Sequence, residues 1–300
     1  MKKLLAFFLV IALLLACVIL ANSYWHIFPA SAPGSENGEE ENPDSKVEEY
    51  PDSEAEPELN GEPEEPAAPE EFSPRIGIYS GSGSWEENVV AIINFFEHYG
   101  INYGTFDEQD ASFGDLGASF DAIWFPGGFS ESYRHYISNH DNLRAFVDEG
   151  GLFIGTCAGA YYASDIMLWL DEGEKLLDYP LKLFAGRAVG PHMRWGEHAV
   201  LTLNPDLPVN EAFDQTIMAH YFDGPYFIPS DEQEVAVLAE YESHEAPAIL
   251  SFDYGNGKVL LMGPHPELGY EPATGLIDTR GGAGAQWPWL YAVLQWFFTD

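Results

Sequence analysis

The apolar run 152–155 passes without a break into Gly155-Thr156-Cys157-Ala158-Gly159-Ala160, and this junction constrains the fold more than any other feature of the chain. A buried strand that turns sharply into a helix strains the residue at the corner, and only small neighbours leave room for the turn. Cys157 occupies that corner. Its sulfur is expected above the end of a sheet, where the N-terminus of the following helix favours thiolate over thiol. The same residues also suit a structural cysteine in a tight turn.

The flanking sequence supplies the rest of an α/β pattern. Residues 75–79 form a short β-branched and aromatic run that ends in Ser80-Gly81-Ser82-Gly83-Ser84, and residues 88–98 then carry apolar side chains at helical spacing, closed by Gly100. Further strands are expected at 101–106 and at 120–125, the second stopped by Pro126-Gly127-Gly128, with a helix at 142–149. Beyond Leu181 the pattern turns to strands near 199–203, 217–222, 235–241, 248–252 and 259–262, and 287–298 closes as an aromatic helix. Such alternation predicts a mainly parallel sheet with helices on both faces and a site at the carboxyl ends of its strands.

Charge divides the chain. Lys plus Arg number 12 against 49 Asp plus Glu, a formal net charge of −37, which excludes a nucleic-acid backbone as partner. Residues 31–72 hold 16 of the acids and one lysine among Pro, Ser and Gly, with too few apolar side chains to offset chain entropy, and read as an extended linker. Residues 1–30 carry Lys2, Lys3 and an apolar stretch over 4–21. That stretch is a targeting segment: a membrane anchor with Tyr24 and Trp25 at the interface, a lipoprotein signal ending Leu14-Leu15-Ala16-Cys17, or a cleaved leader. In each case residues 73–300 form one domain outside the membrane.

Within that domain, Gly263-Pro264-His265-Pro266-Glu267 follows the expected strand 259–262. His-x-Glu at a strand end can supply a base and the carboxylate that orients it, so Cys157, His265 and Glu267 make a candidate triad. Gly127 and Gly128, with the N–H of Ala158, are candidate oxyanion donors. Singly, each has a bland reading as turn residue or solvated charge; three strand ends together favour a site.

These motifs, Pro-Gly-Gly, then Gly-Thr-Cys-Ala-Gly, then His-Pro-Glu, resemble the class I glutamine amidotransferase-like superfamily. Cys157-Ala158-Gly159-Ala160-Tyr161-Tyr162, Gly190-Pro191 and the segment from Tyr221 to Phe227 are similar to the N-terminal domain of biotin–protein ligases, which also occurs alone. The resemblance spans about 73–298. It implies a flavodoxin-like fold and a Cys157-His265-Glu267 triad that cleaves an amide. No ligase catalytic domain follows residue 298, so biotin transfer is not expected. Tyr161-Tyr162-Ala163 lacks the glutamine that glutamine-hydrolysing members carry after their cysteine. The expected activity is therefore hydrolysis of another amide or peptide-like compound, with a binding or scaffold module as the alternative.

Tyr161, Tyr162, His192, Tyr221 and Tyr226 are the candidate pocket residues, with Arg194, His198 and His220 behind them; aromatic side chains beside a sheet are more often core. No ligand pair has a recognised metal spacing, so neither metal nor cofactor is expected. The loop 80–84 has neither Walker nor dinucleotide spacing. Oligomeric state is left open.

Overall fold

The computed structural model describes residues 72–171 and 173–299. The anchor over 1–30, the Cys17 alternative and the linker up to residue 71 lie outside the described residues. Phe72, assigned to the linker by composition, instead packs its ring edge-on against Tyr291 and Phe298 at 5.9 and 5.5 Å.

The chain first alternates strand and helix: β1 (Arg75–Tyr79), α1 (Glu86–Tyr99), β2 (Asn102–Phe106), α2 (Glu108–Phe113), α3 (Leu116–Ser119), β3 (Ala122–Phe125), α4 (Ser130–Tyr136), α5 (His140–Asp148), β4 (Leu152–Thr156) and α6 (Ala158–Ala163). Local chemistry explains the ends. In α1, Glu86 and Glu87 face the helix dipole in the first turn, and Gly100 closes the helix at φ 68°. Asp107 caps α2 by accepting from the N–H groups of Gln109 and Asp110.

After α6 the chain turns to strands: β5 (Ser164–Trp169), β6 (Lys175–Asp178), β7 (Phe184–Gly190), β8 (His198–Leu203), β9 (Thr216–His220), β10 (Tyr226–Pro229), β11 (Ala236–Tyr241), β12 (Ala246–Tyr254), β13 (Gly257–Met262), and the short pair β14 (Gly269–Tyr270) and β15 (Ile277–Asp278). Helix α7 (Trp287–Thr299) follows.

A nine-stranded sheet has the order β2-β1-β3-β4-β13-β12-β11-β8-β9. The first five strands pair in parallel, and the pairings from β13 to β9 are antiparallel. The expected mainly parallel character therefore holds for the half that carries the strand ends of interest. A second sheet, β10-β7-β5-β6, was not read from the sequence. The helical stretch expected after the elbow stops at Ala163, because Ser164–Trp169 pairs with β6 and β7.

Alternation along the parallel strands feeds two cores. Ile76, Ile78, Trp124, Ile154, Leu260 and Met262 pack with α1 and α7, whereas Tyr79, Ile123, Phe125, Phe153, Val259 and Leu261 pack with α5 and α6. Helices thus cover both faces, and each large side chain buried this way contributes at most about 1.5–3 kcal/mol.

Candidate active site

Strands β3, β4 and β13 are neighbours and parallel, with Phe125 opposite Gly155 and Thr156 opposite Met262, so their carboxyl ends lie side by side. The three motifs follow directly from those ends. Cys157 has φ 51° and ψ −103°, a conformation that L side chains rarely adopt. Its N–H donates to Met262 O at 2.8 Å, tying the turn to β13. The small neighbours are required by contact: a Cβ on Gly159 would sit 2.1 Å from Phe125 O, and one on Gly155 would sit 2.8 Å from the Gly159 backbone.

His265 and Glu267 are fully buried, with Nδ1 and Oε1 2.7 Å apart. A carboxylate only accepts, so Nδ1 carries a proton, and in the neutral ring Nε2 is the acceptor. Nε2 has no hydrogen-bond partner of ordinary geometry among the described residues. Burial by itself pulls the imidazole down. Glu267, hydrogen-bonded to Nδ1, and the charge of the nearby Cys157 outweigh it and raise His265 to about 10. The Cys157 Sγ donates to Phe222 O at 3.3 Å. An imidazole held between carboxylate and sulfur can take up the thiol proton and keep it.

Asn88, on α1, was not singled out in the sequence. It is fully buried, its Nδ2–H donates to Glu267 Oε1, and its Oδ1 accepts from the Gly127 N–H at 2.6 Å. One carboxamide thereby joins the Glu267 carboxylate to the Pro-Gly-Gly turn. This corrects the assignment of Gly127 as an oxyanion donor, because its N–H is already engaged. Gly127 instead lies against the imidazole, where a Cβ would come 2.6 Å from His265 Cε1. The N–H groups of Gly128 and Ala158 have no partner among the described residues and remain the candidate donors. Gly128 has φ 146°, and a Cβ there would strike Gly83 O at 2.1 Å. The glycine-rich loop is thus a brace: Phe129 N–H donates to Gly83 O, and Trp85 N–H donates to Gly127 O. Its Ser82 N–H and hydroxyl are occupied by the protein's own Glu108 carboxylate.

Cys157, Ala158 and Gly128 open into a cavity of about 740 Å³ whose walls are largely apolar, with six aromatic residues among them. Of the five residues expected in the pocket, only Tyr161 lines it, its hydroxyl fixed by donation to Asp223 O at 2.9 Å. The other four need correction. Tyr162 points into the core and pairs with His140 Nδ1. Tyr221 receives the His192 N–H, and Tyr226 packs beside His192 at 5.3 Å between ring centres, away from the cavity. Burial, with His244 adding to it, lowers His192 to about 4. His220 is also lowered to about 4, first by burial and then by His198 and His265, and its backbone O accepts from the His265 N–H. The rest of the aromatic lining, Trp85, Phe129, Trp169, Trp195 and Phe222, is not indicated by the sequence pattern. Tryptophans near glycine turns are the available signal, yet periodicity does not say which way they face. Among the described residues, no group of three His, Cys, Asp or Glu is placed to hold a metal ion.

The candidate site therefore sits on an α/β fold whose parallel strands end at a strained cysteine turn. The family model for the N-terminal region of biotin–protein ligase matches residues 76–278, and the chain belongs to that family. A Chlamydia muridarum protein of undescribed function is 30% identical over 155 residues, 47% of this chain and 58% of that protein. A Schizosaccharomyces pombe biotin–protein ligase is 25% identical over 176 residues, 54% of this chain but only 28% of the ligase. The chain therefore spans less than two thirds of either relative. A solved ThuA-like protein of Bacteroides uniformis aligns with a TM-score of 0.50 at 15% identity, over 79% of this chain and 96% of that chain, a likeness of fold.

Proposed function

We propose that the protein is a cysteine-dependent amide hydrolase. The observation that carries this reading is the juxtaposition of Cys157, in a strained turn, with a buried His265–Glu267 pair at the end of the adjacent strand. In the reaction, the sulfur attacks the amide carbon and His265 takes the thiol proton. His265 then passes that proton to the departing amine, leaving an acyl thioester. Water, deprotonated by the same imidazole, attacks the thioester, releasing a carboxylic acid and restoring the thiol. The N–H groups of Gly128 and Ala158 stabilise the oxyanion of each tetrahedral intermediate, a role worth about 3–4 kcal/mol per donor where it has been tested.

The working site lies outside the membrane, held by residues 1–30 on the acidic tether 31–71. The experiment is a panel of amides, γ-glutamyl compounds and cell-wall peptides offered to the full-length protein and to Cys157→Ser. Turnover by the first alone is expected; equal ligand binding by both with no turnover by either refutes the hydrolase and leaves the binding module. That second reading has one observation in its favour, the donation of the thiol to Phe222 O. For location, the intact protein is expected in the membrane fraction, and recovery in the cytosol refutes the tether. Palmitate labelling lost in Cys17→Ala distinguishes a lipoprotein from a spanning anchor.

A further inference from the structure

The cleft around Cys157 is lined mainly by apolar and aromatic side chains. Two aromatic runs reach it. Phe222 holds Trp85 and Trp195 edge-on at 5.1 and 4.9 Å, and Tyr161 lies 6.1 Å from Trp169. The rings are already held by their neighbours, so a ligand that packs on them encounters a preorganised surface. The strand pair β5–β6 extends the apolar wall. Met167 stands opposite Leu177 and Trp169 opposite Lys175, and all four line the cavity, as i and i+2 positions on one face of each strand. Trp195 is 62% exposed although it lines a cavity beside a cysteine in a strained turn, a position that folding alone does not require.

Charge narrows the choice further. The lining residues include the acidic Glu131 and Asp223 and a single basic residue, Lys175. Asp171, in the β5–β6 turn, is close enough to add to burial in raising the pKa of Asp223. The whole region 73–300 holds 33 acidic against nine basic residues. A ligand carboxylate entering this field is repelled, and a neutral or cationic group is not.

We infer that the cleft takes an amide that bears a planar ring and no carboxylate, with Trp195 and Trp169 as the ring-selecting side chains, and that it excludes free glutamine. For its chemistry this rests on the hydrolase reading above; the binding preference stands apart from it. Asp223 and Glu131 tolerate an ammonium on such a ligand, and the aromatic faces attract one.

The test uses full-length Cys157→Ala protein in detergent and titration calorimetry with four probes: N-acetylphenylalaninamide, N-acetylleucinamide, N-acetylphenylalanine and glutamine. The ring amide is expected to bind about tenfold more tightly than the aliphatic amide and the ring carboxylate, with glutamine weakest. Trp195→Ala, a change at an exposed side chain, is expected to erase most of the ring preference, bringing N-acetylphenylalaninamide and N-acetylleucinamide to within about twofold of each other. Equal binding of all four probes, tighter binding of either carboxylate, no binding of any probe up to its solubility limit, or an unaltered preference in Trp195→Ala overturns the inference. The two readings fail separately. Ring-selective binding with no amide turned over by the wild type sinks the hydrolase and keeps the cleft; wild-type turnover of aliphatic amides without ring preference does the reverse.

Discussion

The parallel half of the large sheet and the smaller sheet β10-β7-β5-β6 divide the work of the site between them. The first supplies the strand ends that carry Cys157, His265 and Pro126-Gly127-Gly128; the second supplies Met167, Trp169, Lys175 and Leu177, a wall of the cleft. Their construction differs accordingly. Strands β3, β4 and β13 are almost wholly buried, whereas β5 buries only Ser164 and Met167 and β6 has no buried residue. Groups that must hold sub-ångström geometry sit on rigid, doubly covered strands, and groups that meet variable ligand surface sit where a side chain can change at little cost.

The sharpest way to break this contrast is to disturb the turn itself. Gly159→Ala places a methyl group against Phe125 O, a backbone atom that cannot swing aside, and is expected to cost about 3 kcal/mol or more in urea denaturation. A loss under about 1 kcal/mol would mean that the elbow is softer than its contacts imply.

Next comes Asn88→Ala. It strips a donor from the buried Glu267 carboxylate and leaves the Gly127 N–H without an acceptor, for an expected cost of about 2–4 kcal/mol. Slower alkylation of Cys157 by iodoacetamide should accompany it, since His265 is then less firmly oriented. Unchanged alkylation at pH 7 would reduce Asn88 to a packing role.

A smaller effect separates the regions by pH. His265 is raised from 6.5 to about 10, so its contribution to stability is fully present below 6.5 and is lost as pH climbs through 10. His192, which packs against Tyr241 of β11, is lowered to about 4, so its contribution is present above 6.5 and fades as pH falls toward 4. Denaturation midpoints from pH 4 to 10, compared among wild type, His265→Gln and His192→Gln, should show the alkaline slope reduced in the first variant and the acid slope in the second. Parallel curves for all three proteins would contradict both assignments.

The least effect is expected at the second sheet's outer strand. Leu176 is 63% exposed on β6, and Leu176→Ser should shift stability by no more than about 0.5 kcal/mol. A larger loss in the same urea titration would show that β6 is more than a wall.

Legibility in the sequence follows the same division. Strand β1 was read to the residue, and α1, β4, β13 and α7 to within two, because each is a local run of apolar side chains stopped by glycine or a sharp turn. Strands β5 and β6 escaped. Ser164–Trp169 pairs with Phe184–Gly190, and half-buried strands carry little alternation to read. Tyr161 and Tyr162 were both expected in the cleft, but these adjacent helical residues point apart, one to Asp223 O and the other to His140.

By itself, then, the sequence determined the alternation of strand and helix, the corner at Cys157 and the three glycine-rich strand ends, since backbone strain and hydrophobic period are properties of neighbouring residues. Tertiary structure alone decided which Pro-Gly-Gly N–H is free, which aromatic rings face the cleft, and that Asn88 meets Glu267 from 179 positions away. Those outcomes depend on how two cores and two sheets fill space together, and no local pattern encodes the direction in which a side chain finds its partner.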